Sequence, residues 1–398
     1  MRVLQVNSVF GVGSTGRIVR DIHGSLLDSG HESFVAYGRQ PLVDQSNAIR
    51  IGNQRSVYAH VAKTRLLDKH GFGSTKATSE FLEIISGMRL DLIHLHNIHG
   101  YYMNVDLLFS YIKHSEIPVV WTFHDCWPFT GHCAHFTYAN CEKWKTQCRD
   151  CPQSRSYPTA YIDNSIANFR KKQQVFTGVK NLHIVTPSVW LADLVKGSYL
   201  SEYPVEVIRN GIDLSSFKPT ECNFRSEYGL EGKTILLGVA SIWGERKGLK
   251  FFFELASIIS NNEHIVLVGV RENETKGKTI PNNMTIIPRT NDVKELAGLY
   301  TTADYFLNPT LEDNYPTTNL EAIACGTPVV AFNTGGVSET IRSSNGVLAQ
   351  EKTAVSLYKA VLNFRQYSFE DSVRATYGKD VSTSSYLSLY YRVLQGVR

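Results

Sequence analysis

The sequence predicts an α/β protein of two doubly wound, Rossmann-like domains facing a cleft. Three observations predict it. The chain has 398 residues, too many for one ordinary core. Short apolar, β-branched runs alternate with stretches of helical period in both halves, the pattern of βαβ units on a parallel sheet. Pro204, Pro219 and neighbouring polar residues cluster where the halves meet.

In the first half RVLQVNSVF reads as a strand. GRIVRDIHGSLLDSG reads as a helix with Ile18, Ile22, Leu26 and Leu27 on one side and Gly30 as its stop. SFVAYG, DLIHLHN, PVVWTFHD and LHIVTPS follow as strands. The second half repeats the logic. EVIRNGID, TILLGVAS, HIVLVGV, MTIIPR, YFLNP and PVVAFN are strand candidates. KGLKFFFELASIIS, VKELAGLYTTA and TTNLEAIACG are the helices between them. The expected domains are residues 1–205, with a Cys-rich insert near 126–155, and residues 206–380. Residues 381–398 form a terminal helix with room to pack across the junction.

Composition narrows the function. The chain is 42% hydrophobic and 20% charged, which is globular rather than disordered. No apolar run reaches the ~18–20 residues that span a bilayer. The start, with one basic residue and no small-residue cleavage site, reads as a strand and not a signal peptide, so a cytoplasmic location is expected. Residues 1–210 carry 22 Lys and Arg against 17 Asp and Glu, and the remainder carries 19 against 20. No basic stripe with interleaved aromatics appears, so nucleic acid is not an expected partner. The excess in the first half suits a surface that works near anionic head groups, and equally an ordinary scatter of surface charge.

Gly11-Val12-Gly13-Ser14-Thr15-Gly16 fits G-x-G-x-x-G between a strand and a helix, where backbone amides can approach a phosphate. A dinucleotide fold wants an acid at the end of the second strand. Here Ala36-Tyr37-Gly38-Arg39 has none, and Arg39 alone favours an NADP-dependent oxidoreductase. His94, His96 and His99 lack the Asp that a metal triad of this spacing needs, since Ile98 stands there. His124-Asp125 ends a buried strand, where an imidazole beside a carboxylate can orient a hydroxyl. Cys133, Cys141, Cys148 and Cys151 lie in a segment read as polar, with one C-x2-C pair. They suit a structural zinc, with free thiols as the alternative. Cys126, Cys222 and Cys325 read as small apolar residues.

Arg246 and Lys247 follow the strand TILLGVAS and can neutralise a diphosphate. The stretch from Leu307 to Ala322 carries most information. A strand stops at Pro309, a polar loop holds Asp313, and a helix starts at Thr317 or Thr318 with Glu321 in its first turn. A helix N-terminus of this kind receives anions. Glu321 can accept from ribose hydroxyls and Asp313 from sugar hydroxyls.

At this point the chain resembles the retaining glycosyltransferases of family 4, which have the GT-B fold. The resemblance runs through the Gly loop, His124-Asp125, Thr186–Ser188, Arg209–Asp213, Arg246–Gly248, the acids at Asp313 and Glu321, and Gly335–Glu339. The Cys-rich insert is similar to that of enzymes of bacterial exopolysaccharide, O-antigen and colanic-acid assembly.

The resemblance implies an acceptor-side first domain and a second domain that binds a nucleotide-diphosphate sugar. Lys247, with Arg246 beside it, would hold the donor diphosphate and Glu321 its ribose. Asp313 would contact the donor sugar, where the family has Glu and where Glu312 stands one residue away. His124 would lie by the donor sugar and the acceptor, Gly13 near the donor phosphates, and Thr317 and Thr318 at the phosphate-binding helix. The family's Arg before the phosphate Lys is replaced by Ile242 or Trp243. No catalytic metal is implied. The acceptor would be a glycan or a lipid-linked oligosaccharide, reached by transient contact with the inner membrane. An epimerase of the same fold is the further alternative.

Overall fold

The computed structural model describes residues 1–40, 47–290, 292–364 and 374–396. The chain divides into two compact units, Met1–Arg209 with Ser382–Arg398, and Asn210–Val381.

The first unit is built on a seven-stranded sheet in the order β3-β2-β1-β4-β5-β6-β7. Its strands are β1 (Arg2–Asn7), β2 (Glu32–Tyr37), β3 (Ala48–Arg50), β4 (Leu92–Leu95), β5 (Val119–Thr122), β6 (Leu182–Thr186) and β7 (Val205–Val207). Every pairing is parallel. Sheets of this kind are covered on both faces, and so β4 and β5 are buried along their whole length. The helices are α1 (Gly13–Asp28), α2 (Gln54–Leu67), α3 (Thr75–Ser86), α4 (Val105–Ser115), α5 (Ser165–Phe176) and α6 (Val189–Lys196). On α1, Ile18, Ile22 and Leu26 are buried while Leu27 is exposed.

The second unit has a six-stranded parallel sheet, order β10-β9-β8-β11-β12-β13. Its strands are β8 (Thr234–Val239), β9 (Glu263–Val268), β10 (Met284–Ile287), β11 (Tyr305–Asn308), β12 (Val329–Phe332) and β13 (Gly346–Ala349). Its helices are α7 (Phe224–Glu227), α8 (Leu249–Ala256), α9 (Glu272–Thr275), α10 (Val293–Thr302), α11 (Thr317–Ala324) and α12 (Ala354–Asn363). The last helix, α13 (Lys379–Gly396), starts in this unit, but from Ser382 its residues group with the first. Tyr386, Leu389, Tyr390 and Val393 share a core cluster with Val3, Ile22, Leu92 and Val120.

Three expectations are corrected here. EVIRNGID does not open the second sheet: Val205–Val207 pairs with Ile184–Thr186 and closes the first. The Cys-rich insert is not a polar loop lacking a core of its own. Phe129, Phe136 and Trp144 are buried in it, with ring centroids 5.1–6.2 Å apart. Cys222 is exposed rather than a core residue.

Candidate active site

Both sheets reverse their strand order once, between β1 and β4 in the first unit and between β8 and β11 in the second. Doubly wound sheets bind ligands at the carboxyl ends of the strands beside such a reversal. In the second unit a cavity of about 440 Å³ lies at the opposite, amino edge, lined by Thr234, Asp304, Tyr305 and Pro328. It touches none of the candidate residues.

At the carboxyl edge of the second sheet two loops are tied together. The Arg246 guanidinium donates to the Glu312 carbonyl at 2.6 Å. The Arg246 carbonyl accepts from the Leu311 amide at 2.7 Å and the Thr310 hydroxyl at 3.1 Å. Lys247 Nζ donates to Asp313 Oδ2 at 2.5 Å. Two glycines permit this closeness. Gly248 has φ +75°, and a Cβ there would stand 2.2 Å from the Pro309 carbonyl oxygen. Gly335 has φ +54°, and its Cβ would stand 2.1 Å from the Asp313 carbonyl oxygen.

Burial lowers the pKa of Lys247, the Asp313 carboxylate pulls it back, and Arg246 lowers it again. Asp313 faces the ammonium, whereas Glu312 next to it is fully buried. Thr317 and Thr318 open α11, whose cap position, Pro316, has no side chain to bond the first amides. Glu321 is the fifth residue of α11, just past its first turn. It is 3% exposed and accepts a hydrogen bond from Tyr300 Oη at 3.0 Å. Trp243, at the position of the missing Arg, is buried with its indole N–H on the Val268 carbonyl at 2.9 Å.

The carboxyl edge of the first sheet is rich in imidazoles. His124 follows β5 and is half-buried. Its Nε2 lies 3.1 Å from His96 Nδ1. Burial is the main reason its pKa falls to about 4, with Asp125 opposing. Burial alone would raise the pKa of Asp125. The attraction of His99, whose Nε2 lies 3.0 Å away, and the Trp127 amide outweigh it and hold the carboxyl at about 2. His94 bonds Tyr390 Oη at 2.6 Å and Thr122 Oγ1 at 2.8 Å, and its ring lies 3.9 Å from that of His96. His94, His96 and His99 are buried, and His124 is the half-buried member of the group. In the Gly loop, Gly13 is exposed, has φ +65°, and has open space where a Cβ would stand.

The four cysteines of the insert line one narrow pocket with Phe136 and Trp144. The Gly131 amide donates to Cys148 Sγ at 3.1 Å, and burial pushes that thiol up to about 11. Among the described residues, no group of three or more His, Cys, Asp or Glu is placed to hold a metal ion. The four expected zinc ligands thus share one pocket without being placed as a set of metal ligands.

Comparison with known proteins gives the chain a class. Residues 15–216 match the model described as Glycosyltransferase Family 4, and residues 233–366 match Glycosyl transferases group 1. The chain belongs to glycosyltransferase family 4 and is a glycosyltransferase.

Its relatives are more specific. It is 25% identical to a protein of Escherichia coli (strain K12) described as a colanic acid biosynthesis glycosyl transferase, over 98% of this chain and 99% of that one. It is 27% identical to the N,N'-diacetylbacillosaminyl-diphospho-undecaprenol α-1,3-N-acetylgalactosaminyltransferase of Campylobacter jejuni, over 52% of this chain and 59% of that one. Among solved structures, the sucrose-phosphate synthase of Thermosynechococcus elongatus superposes with TM-score 0.72 at 15% identity, covering 100% of both chains. Anabaena HepE in complex with UDP gives TM-score 0.66 at 14% identity, over 98% of this chain and 100% of that one. These likenesses show the GT-B fold. The NADP-dependent alternative has no support, and Arg39, its one feature, stands over the Tyr101 ring at 5.7 Å.

Sequence reasoning missed Tyr300 as the partner of Glu321, and Gln5, His96 and His99 as the surroundings of His124 and Asp125. The alternation of His94 and His96 on one strand face was the available signal.

Proposed function

We propose that the chain moves a sugar from a nucleoside diphosphate sugar to a hydroxyl of a growing bacterial surface glycan, with retention of anomeric configuration. One observation carries the reading: a half-buried lysine paired with a carboxylate at 2.5 Å, in the turn that follows β8 at the reversal of the second sheet, the carboxylate standing in the loop that leads from β11 into α11.

An arriving diphosphate competes with Asp313 for Lys247, and so releases Asp313 to bind sugar hydroxyls. Lys247, Arg246 and the first amides of α11, after Thr317 and Thr318, stabilise the charge that develops on the leaving group. These groups supply positive charge without drawing on a metal. Glu321 accepts from the ribose, Gly13 lets backbone approach the donor phosphates, and His124 serves the donor sugar and the acceptor.

The diphospho-undecaprenol in the name of the Campylobacter relative favours a lipid-linked acceptor, and the colanic acid in that of the Escherichia coli relative favours polysaccharide assembly. No helix among the described residues is long and apolar enough to cross a membrane. The basic excess of the first half favours peripheral contact with the inner face of the membrane.

The test is incubation with UDP-, GDP- and ADP-sugars and a polyprenyl-diphosphate-linked glycan, following free nucleotide and the anomeric configuration of the product by NMR. One donor is expected to turn over with its configuration kept. Inversion would overturn the retaining assignment. No turnover with any donor would overturn the reading.

A further inference from the structure

His124 stands at the end of a chain of hydrogen bonds that dictates which of its nitrogens carries the proton. The chain starts at Gln5 on β1, which is fully buried. Its Nε2 donates to the Val19 carbonyl at 3.2 Å, which fixes the amide and turns Oε1 the other way. That oxygen lies 3.3 Å from His96 Nε2. An amide oxygen only accepts, so His96 Nε2 carries a hydrogen. His96 is 1% exposed and burial holds its pKa well below the ordinary value, with His94 and His124 acting in the same direction. A neutral imidazole has one N–H, so His96 Nδ1 is a lone pair. At 3.1 Å it can only accept from His124 Nε2. The neutral ring of His124 is left with its own lone pair at Nδ1.

We propose that Gln5 and His96 are positioning residues that hold His124 as the Nε2–H tautomer, so that Nδ1 accepts a hydrogen bond from a substrate hydroxyl. The inference rests on the proposed transfer reaction only for the identity of that hydroxyl, a sugar O–H of donor or acceptor. It makes His124 a selector for a group that can donate. A fluorine or a methyl ether at the same sugar carbon can accept but cannot donate, and both fail at an Nδ1 lone pair. Either would be tolerated by an N–H.

The primary test is the histidine tautomer spectrum of the 15N-labelled full chain, read by long-range 1H–15N correlation at pH 7. His124 is expected with Nε2 protonated and Nδ1 bare. Gln5→Glu places a carboxylate against His96. The imidazole then takes a second proton, donates from Nδ1, and drives His124 to the Nδ1–H form. Gln5→Leu frees both rings and mixes the tautomers, with kcat/KM expected to fall about tenfold, the scale of one buried hydrogen bond. A role for Gln5 in packing alone would lower melting temperature and leave the tautomer unmoved.

An Nδ1-protonated His124 in the unaltered protein, or an unchanged tautomer in both Gln5 variants, overturns the proposal. The spectrum needs no turnover, so a chain with the expected tautomer and no transferase activity would sink the function reading alone.

Discussion

The two sheet edges solve one problem in opposite ways. Both must present polar groups beside buried strands, where an unpaired charge is costly. The second unit keeps its charges and pairs them: Lys247 with Asp313, and Arg246 with backbone carbonyl oxygen. The first unit removes most of its charge. His94 and His96, buried, and His124, half-buried, are neutral imidazoles linked through hydroxyls and each other, and Asp125 is the ionised exception, held by His99. Paired charge suits the grip of an anion that comes and goes. Neutral imidazoles suit fixed orientation of hydroxyls, because their hydrogen bonds have direction. Under the proposed function the paired charges of the second unit serve phosphate, and the imidazoles of the first serve sugar hydroxyls.

The comparison breaks most sharply at Lys247. Lys247→Ala removes the cation proposed to face a leaving diphosphate and leaves the Asp313 carboxylate with Arg246 at 4.0 Å as its remaining cation. Donor turnover should fall by about 10²–10³, as for other preorganised electrostatic groups. Unchanged kcat/KM for nucleotide release would dissolve the contrast.

Gly335→Ala comes next. It forces a side chain into a left-handed conformation and a Cβ onto the Asp313 carbonyl oxygen, with an expected loss of about 2–4 kcal/mol in urea unfolding. Gly13→Ala, also at positive φ but with open space, should cost about 1 kcal/mol.

Acid separates the units in a third way. A histidine whose native pKa is lowered stays neutral when folded while its unfolded form binds a proton below about 6.5. Stability is therefore full above that pH and is lost as pH falls toward the native value. His60, buried and held near 4, alone accounts for about 2 kcal/mol at pH 5. Lowered histidines crowd the first unit, while His264 is the lowered one in the second among the described residues. Hydrogen exchange between pH 7 and 5 should show the first unit losing protection first.

The smallest effect is Tyr300→Phe. It strips the hydroxyl from Glu321 and should raise donor KM about threefold to tenfold with kcat nearly unchanged.

Much of the second site could be read from the chain because its chemistry is local. Arg246 and Lys247 adjoin one strand end, and Asp313, Thr317 and Glu321 fall in one strand–loop–helix segment. What sequence reasoning missed depends on residues far apart. Gln5 and His96 are separated by 91 positions and His94 and Tyr390 by 296, and no periodicity reports such pairs. The three-residue β3 is too short to show alternation, and β13, Gly-Val-Leu-Ala, has only one β-branched residue. Val205–Val207 joins the first sheet and not the second because a strand's neighbour is chosen by pairing, not by its own residues. Charged contacts repeated within a short segment leave a trace in sequence, and neutral hydrogen-bond relays across a sheet leave almost none.

The return of α13 to the first unit sets an order of events during synthesis. Tyr390 and Tyr386 reach His94 and Thr122, yet a ribosome makes them only after the whole second unit. Until then Val3, Leu92 and Val120 have Ile18, Ile22 and Leu26 beside them but lack the part of their cluster that α13 supplies, and the core of the amino-terminal half is incomplete. A premature stop within α13 would therefore damage the half made first and spare the half made last, and the nascent first unit becomes the natural client for a chaperone.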